Sequence, residues 1–99
     1  MYWLSLNRYD TKRDANESEI RTALHKCGVS TYPLDSPVDL LCWWRTVFFM
    51  LEIKDGSKPP SARKLTKAQE EFFDKTRGCP RFKVESPEEA VAVLGRIGA

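Results

Sequence analysis

The stretch VFFMLEIKDG, residues 47–56, decides the fold of this chain because it joins a buried strand to two charged residues. Its first five residues are apolar without a break, which is typical of a strand that is buried on both faces. Side chains alternate along a strand, so Glu52 and Lys54 share one face while Ile53 points to the other. The stretch therefore predicts an interior strand that ends with an acid and a base side by side.

A second strand is predicted directly before this one, from Val38 to Trp44, by its β-branched and aromatic residues. If residues 45–46 form the turn between the two strands, counting back from the turn places Asp39 opposite Glu52. Their Cβ atoms would then lie about 4.5–5.5 Å apart, where like charges repel. The pair therefore predicts a shared proton, partial neutralisation by Lys54, or a divalent cation bound between the carboxylates.

Mg²⁺ fits such a pair, because it prefers oxygen ligands and is commonly held by one or two carboxylates, water and a substrate phosphate. The backbone carbonyl of Ile53 would add another oxygen ligand. Lys54 would then lie beside the reacting phosphate, where it can contact the phosphate and help to activate water. A charged residue at a strand end is more often simply the point where the chain reaches water. The chemical interpretation therefore depends on the pairing of Asp39 with Glu52.

The remaining elements are predicted from capping signals and apolar periodicity. A helix is expected from about Asn16 to Cys27, with Asn16 as its cap and Cys27 on its apolar face. The other expected elements are a strand at 29–34, a loop at 55–64, a helix from Thr66 to about Thr76, a strand at 81–84 and a last helix opened by Ser86-Pro87-Glu88-Glu89, which buries Ala90, Val91, Val93, Leu94 and Ile97. The predicted fold is α/β, in the order α-β-β-β-α-β-α, with a mixed sheet of about four strands flanked by helices.

The composition indicates a single domain over residues 1–99, since 41% of the residues are apolar and 30% are charged, with a net charge of +2. No apolar run approaches the ~20 residues of a membrane span, and the N-terminus lacks the basic leader of a signal peptide. Cys27, Cys42, Cys79 and the single His25 show no zinc-ligand spacing. These features favour a reduced, cytoplasmic compartment and no membrane partner.

Taken together, these motifs resemble the PD-(D/E)XK nuclease superfamily. The residues that carry the resemblance are Glu17 in the first helix, Pro37-Val38-Asp39, Glu52-Ile53-Lys54, and Leu65-Thr66 with Gln69. The chain is most similar to the small stand-alone, phage-type members of the virus-type replication-repair nuclease (VRR-NUC) group. The resemblance covers about residues 14–75, and the segment SPEEAVAVL also fits the group. The combination is fairly specific, whereas no single element is.

The resemblance implies a restriction-endonuclease-like fold and metal-dependent hydrolysis of phosphodiester bonds in DNA, with Mg²⁺ or Mn²⁺ as the cofactor. It makes Asp39 and Glu52 the metal ligands and Lys54 the catalytic lysine. It makes Glu17 a helix-borne acid that supports a second metal or its water. It makes Gln69 the glutamine of the group's LTxxQ element.

Some of these residues also have a structural interpretation. Gln69 is placed to close a capping box with Thr66, which needs no role in catalysis. Glu19 lies near Glu17 and competes with it for the role of the helix-borne acid. Asp35 is a weaker alternative metal ligand, because an aspartate before Ser-Pro usually caps a turn. The hairpin turn also departs from the group, whose members often carry small residues where this chain has Cys-Trp-Trp-Arg.

Basic residues flank the predicted site and are expected to hold DNA phosphates without reading the base sequence. One group precedes the first helix and the other follows the strand of the opening stretch. The first group is Arg8, Lys12 and Arg13, and the second is Lys58, Arg63, Lys64 and Lys67.

Stand-alone members of the resembled group are expected to form homodimers and to favour branched DNA such as four-way junctions. The predicted hairpin carries large aromatic side chains at Trp43, Trp44, Phe48 and Phe49. Alternation buries about half of them in the core, and the others are candidates for the dimer interface. Core packing alone is the simpler interpretation of the two phenylalanines.

The leading hypothesis is therefore a Mg²⁺- or Mn²⁺-dependent DNA endonuclease that is selective for branched structures, with no small-molecule cofactor. The alternative is a non-catalytic DNA-binding or assembly module on the same fold. Such a module would not need to retain the repulsive pair of Asp39 and Glu52. An RNA-directed nuclease stays open as a third hypothesis, because nothing in the chain reads a 2′-hydroxyl.

Overall fold

The computed structural model describes residues 15–98, whose elements follow the predicted order α-β-β-β-α-β-α. The elements are α1 (Ala15–Lys26), β1 (Ser30–Pro33), β2 (Leu40–Trp44), β3 (Val47–Ile53), a 3₁₀ turn (Pro60–Ala62), α2 (Lys67–Lys75), β4 (Arg81–Val84) and α3 (Pro87–Ile97). The strands form one mixed sheet in the order β1-β2-β3-β4, flanked by helices, and this confirms the predicted fold pattern. None of the helices in this part of the chain is long and apolar enough to cross a membrane.

The strand of the opening stretch, β3, lies inside the sheet as predicted. It is not buried on both faces, however, because Phe48 is exposed on the face opposite the core. It pairs antiparallel with β2 and parallel with β4. A parallel pair needs a long crossover, which here consists of the 3₁₀ turn, α2 and their loops. Strand β3 is therefore hydrogen-bonded along both edges, to β2 on one side and to β4 on the other.

The turn between β2 and β3 lies at Arg45-Thr46, as predicted. Both residues have positive φ, 50° and 72°, which is the conformation of a tight type I′ hairpin turn. Such turns usually contain Asn-Gly, so a β-branched threonine is an uncommon choice here. The guanidinium of Arg45 stacks on the Trp44 ring at 4.3 Å, and this contact holds the turn residue against the strand.

The core lies between one face of the sheet and helices α1 and α3. Its buried residues are Ile20, Leu24, Val29, Leu40, Cys42, Phe49, Leu51, Ile53, Val84, Ala90, Val93 and Leu94. We call the opposite face of the sheet the outer face. By alternation it carries Leu41, Trp43, Phe48, Met50, Glu52, Arg81 and Lys83.

Helix α2 lies on the outer face and buries none of its own residues. The side chain of Arg81, which the sheet register places on this face, donates hydrogen bonds to the Phe73 carbonyl and lies over the Phe73 ring at 5.2 Å. These contacts join the C-terminal half of α2 to β4. The N-terminal end of α2 is held by contacts in the candidate site.

The first helix is confirmed, but its predicted cap is wrong. The helix already includes Ala15, so Asn16 lies inside its first turn and is not its cap. The amide of Asn16 instead donates hydrogen bonds to the carbonyls of Lys54 and Glu85. Cys27, which was expected on the apolar face, is exposed just beyond the end of α1. Tertiary partners at the strand ends therefore override the local capping signal.

The second predicted capping box is only half formed. The Ser86 hydroxyl accepts a hydrogen bond from the Glu89 N–H at 3.1 Å, as expected. The Glu89 carboxylate, however, accepts from the N–H of Glu85 at 2.9 Å, one residue before the cap. In α3 only Ala90, Val93 and Leu94 are buried, whereas Val91 and Ile97 are half-buried.

Candidate active site

Asp39 is fixed where strand β2 begins. Its N–H donates to the Leu51 carbonyl at 3.1 Å, and its own carbonyl accepts from the Leu34 N–H at 2.7 Å. Its side-chain Oδ2 accepts from the Ile53 N–H at 2.8 Å. The carboxylate therefore takes the place of a main-chain acceptor in the sheet ladder, and this ties it to the end of β3.

The register confirms the predicted turn and brings the two acids to the same end of the hairpin. Leu40 pairs with Leu51, and Asp39 and Glu52 are the next residues beyond this last pair. The two side chains interact, since both the charge of Asp39 and a hydrogen bond with it act on Glu52. Glu52 is only 5% exposed. Burial, followed by the charge of Asp39, raises the pKa of Glu52 from 4.5 to about 7, and the Lys54 ammonium opposes this rise. Glu52 therefore holds its proton up to about neutral pH.

Lys54 is held beside this pair by two acceptors. Its Nζ lies 3.2 Å from Glu52 Oε2 and donates to Gln69 Oε1 at 3.2 Å. The main chain of Lys54 is also fixed, since its N–H donates to the Val84 carbonyl at 3.0 Å and continues the parallel ladder. The side chain is only 14% exposed. The ammonium therefore lies next to the Glu52 carboxylate and Gln69 of α2.

Gln69 contacts both its own helix cap and the candidate site. It closes the predicted capping box with Thr66, whose N–H donates to Gln69 Oε1 at 2.9 Å and whose Oγ1 accepts from the Gln69 N–H at 3.2 Å. The same Oε1 also accepts from Lys54. The amide nitrogen donates to the Pro37 carbonyl at 3.3 Å, in the loop that leads to Asp39. One side chain thus joins α2, the end of β3 and the loop before Asp39.

Glu17 is buried, with 4% of its surface exposed, whereas Glu19 is exposed. Of these two predicted acids, Glu17 therefore faces the interior. The neighbouring Asn16 donates to the Lys54 carbonyl at 3.2 Å, so the first turn of α1 lies against the end of β3. Glu17 thus belongs to the helix turn that borders the site.

The carboxylates gathered here suit Mg²⁺ or Mn²⁺ better than a larger metal centre. Within residues 15–98 no group of three or more His, Cys, Asp or Glu side chains is arranged to hold a metal ion. Two carboxylates are nevertheless the usual protein contribution to a Mg²⁺ site. Asp39 and Glu52 are such a pair, and after burial the charge of Asp39 is the next cause of the raised pKa of Glu52, as expected for two carboxylates that lie close together. Their donor set fits the predicted cation.

The cysteines and the histidine lie apart from this chemistry. All three cysteines are free. Burial raises the pKa of the Cys42 thiol to about 12, so it stays protonated and inert in the core. The His25 ring forms a 2.8 Å hydrogen bond with the Thr31 hydroxyl.

The predicted DNA-binding residues differ in their surroundings. Lys58, Lys64 and Lys67 are exposed. Arg63 instead pairs with Glu85 at 3.2 Å and donates to the Lys58 carbonyl at 2.8 Å, so it holds the loop in place. Arg8, Lys12 and Arg13 lie outside the described residues. Asp35, the alternative metal ligand, is exposed in the loop after β1.

Lys83 is a basic residue near the site that the sequence did not single out. The register of β3 and β4 pairs it with Glu52, so both side chains lie on the outer face. Its ammonium donates to the Arg63 carbonyl at 3.0 Å and lies 3.5 Å from Glu85. Only the register of the parallel strands reveals this position, and that register depends on how the crossover packs.

The other end of the hairpin carries exposed aromatic rings on the same face. Trp43 is 42% exposed and Phe48 is 61% exposed, and their ring centroids lie 5.8 Å apart. Phe49 is buried and Trp44 packs against the core, so about half of the four aromatic residues lie in the core as expected. The simpler interpretation, that both phenylalanines pack in the core, is wrong for Phe48. Core packing does not explain Phe48. We call Trp43 and Phe48 the aromatic end.

Comparison of the chain with models of protein families, with curated proteins and with solved structures found no match. The functional interpretation therefore rests on the residues and their geometry.

Proposed function

We propose that this chain is a Mg²⁺- or Mn²⁺-dependent DNA endonuclease that hydrolyses phosphodiester bonds, with a preference for branched DNA such as four-way junctions. The observation that carries the proposal is the pairing of Asp39 with Glu52, with Lys54 held beside them by Gln69. A buried carboxylate with a raised pKa and a specific charged partner is typical of a functional site. The resemblance to PD-(D/E)XK nucleases, drawn from the same residues, supports the same reaction.

Asp39 and Glu52 are the residues that would hold the metal ion, with the Ile53 carbonyl as a further oxygen and Glu17 as a supporting acid. A bound divalent cation neutralises charge at the phosphate and makes water a stronger nucleophile at neutral pH. The chain fixes its own part in advance, because Asp39 is tied to the Ile53 N–H and Glu52 belongs to the interior strand. Rigid strands are suited to holding such groups in place.

Lys54 contributes a positive charge beside the scissile phosphate. Its ammonium donates to Glu52 and Gln69 and is positioned to donate a further hydrogen bond to a phosphate oxygen. Such a donor stabilises negative charge that grows on the phosphate in the transition state. Gln69 holds the ammonium in this direction and is itself fixed by the capping box. In this proposal Gln69 orients the catalytic lysine.

The DNA would be held by the basic residues around the site, including the exposed Lys58, Lys64 and Lys67. A symmetric homodimer would bring two sites to the two strands of a branched junction. The aromatic end supports this part of the proposal, because large rings exposed together are typical of an interaction surface. The proposed place of action is the cytoplasm of a bacterium or a phage-infected cell.

The test is a cleavage assay on supercoiled plasmid, a four-way junction and a matched single-stranded RNA, with Mg²⁺, with Mn²⁺ and with chelator. Wild type is compared with Glu52→Ala and Lys54→Ala. Glu71→Gln and Lys75→Ala are matched controls, since both side chains are exposed on α2. We expect metal-dependent cutting of the junction by wild type and both controls, and loss of cutting in the two site variants.

Cutting that persists in chelator, or in both site variants, would contradict the assignment of the site. Binding of the junction without cutting of any substrate would instead favour the non-catalytic module. Preferential cutting of the RNA would redirect the proposal to an RNA nuclease. Calorimetry with Mn²⁺ gives an independent check, because Asp39→Asn should weaken binding of the ion.

A further inference from the structure

Asn16 joins α1 to the ends of two strands. Its Nδ2 donates to the Lys54 carbonyl at 3.2 Å and to the Glu85 carbonyl at 3.4 Å. These two residues directly follow Ile53 and Val84, the last register pair of β3 and β4. The amide therefore bridges the strands at the point where their ladder ends.

Both carbonyls lie where the two strands part. After Lys54 the chain enters the loop that begins at Asp55, and after Glu85 it enters α3 through the Ser86 cap. A side-chain amide carries two N–H donors and can serve one carbonyl with each. Because both neighbours are acceptors, the nitrogen of Asn16 must face them. The amide therefore joins the two strands where their backbone hydrogen bonds to each other have ended.

The residue type at this position is not explained by the stability of the helix. Asparagine is a poor helix former inside a helix, and Asn16 does not cap α1. Its Oδ1 is also buried without a hydrogen-bond partner among the described residues, which is unfavourable. The contact with the two strand ends is therefore the feature that accounts for an amide here.

We infer that Asn16 is a positioning residue, which locks the first turn of α1 to the end of β3 and thereby fixes Lys54 relative to Asp39 and Glu52. The bond reaches the main chain of Lys54, whose ammonium contacts Glu52 and Gln69. This inference rests on the proposed nuclease function, and it adds a residue that touches neither metal nor DNA.

The expected effect follows from the precision that catalysis needs, since a shift of about 1 Å in a catalytic group can lower a rate about 100-fold. Asn16→Asp keeps the shape but removes both donors and places a carboxylate against two carbonyls. Asn16→Ala removes the donors without adding repulsion, so its effect should be smaller. Ser18→Ala, at an exposed position of the same helix, is the matched control.

The experiment measures kcat and KM for cleavage of a four-way junction in Mn²⁺, well below the melting temperature of each variant. We expect Asn16→Asp to lower kcat about 10- to 100-fold, with KM for the junction changed less than about twofold. Asn16→Ala should fall between it and the control. Wild-type kcat in both variants would overturn the inference while leaving the nuclease proposal intact. A loss that only matches the unfolded fraction would also overturn it.

A second measurement does not depend on activity. Amide hydrogen exchange of Lys54, whose N–H donates to the Val84 carbonyl, reports on the order of this strand end. We expect exchange at Lys54 to become at least about 10-fold faster in Asn16→Asp, while the amide of Phe49 in the middle of β3 keeps its rate. Unchanged exchange at Lys54 would overturn the inference, even if the wild-type chain cuts no nucleic acid and the proposed function fails.

Discussion

The two ends of the β2–β3 hairpin differ on the same face of the same sheet. At the open end Glu52 is 5% exposed although it is charged, whereas near the turn Phe48 is 61% exposed although it is aromatic. This reverses the usual rule that carboxylates face water and large apolar side chains are buried. Neither arrangement favours the folded monomer. The comparison indicates that the stability of the folded monomer does not explain the residues at either end of the outer face.

The largest expected effect comes from removing the carboxylate at the buried, open end of the hairpin. Glu52→Gln keeps the shape of the side chain but removes the charge, so the chain loses a proposed metal ligand. We expect cleavage of the four-way junction to fall by at least about 100-fold. At pH 8 in chelator the same variant should be more stable than wild type by about 2–3 kcal/mol, because it no longer buries an ionised carboxylate beside Asp39. Cleavage assays and urea unfolding measure the two changes.

Glu71→Gln is the control, since this carboxylate is exposed on α2 and should change neither quantity. A Glu52→Gln protein that cuts at the wild-type rate would contradict the metal site. A variant that is less stable than wild type at pH 8 would contradict the account of repulsion within the acid pair.

The pH dependence of stability sharpens the comparison next. The pKa of Glu52 is about 7 in the folded chain against an ordinary 4.5, so between these values the folded state binds more protons than the unfolded state. The free energy of unfolding should therefore fall as the pH rises through this window. The stabilising contribution is complete below pH 4.5 and is lost above about pH 7. The expected loss is about 2–3 kcal/mol.

Urea unfolding in chelator from pH 4 to pH 8 measures this slope, and Glu52→Gln should flatten it. The difference between the two curves isolates Glu52 from the other groups that titrate. Phe48→Ser, at the aromatic end, should keep the wild-type slope. Parallel curves for wild type and Glu52→Gln would show that Glu52 does not titrate as the geometry requires.

Gln69 offers a smaller and more selective change. Gln69→Ala removes both the capping contact with Thr66 and the acceptor for Lys54, whereas Thr66→Ala removes only its own hydroxyl. Each should lose about 1 kcal/mol of stability through the cap. Only Gln69→Ala should also lower kcat, by about 10-fold, because the ammonium loses its second support. Equal kcat values in the two variants would show that Gln69 caps the helix and does not orient Lys54.

The pairing of the two acids could be predicted from sequence because it depends only on local rules. The turn at Arg45-Thr46 and the alternation of a hairpin determine which residues face each other, and the structure has that register. The unbroken apolar run before Glu52 likewise indicated an interior strand, although Phe48 within it is exposed. Antiparallel neighbours in sequence can therefore be paired by counting along the chain.

The contacts between distant segments could not be predicted in this way. Asn16 was predicted to cap the helix because its residue type and its spacing to Glu19 suit a helix cap. Its side-chain amide instead donates hydrogen bonds to the carbonyls of Lys54 and Glu85, which lie far along the chain. Lys83 reaches the outer face only through the register of a parallel pair, which no turn fixes. The double role of Gln69 required the position of α2 over Lys54. Each of these depends on how the crossover packs.

The smallest expected effect breaks the comparison at the aromatic end. Phe48→Ser should change the stability of the monomer by no more than about 0.5 kcal/mol, because the ring is already exposed. If a second copy covers this end, the variant should instead weaken self-association, which sedimentation at a series of concentrations measures.

Phe49→Ser cannot serve as the control, since that ring is buried in the core. Leu65→Ser, half-buried before α2, is a better match. A dimer that withstands Phe48→Ser would place the interface elsewhere, and the exposed rings would then need another partner.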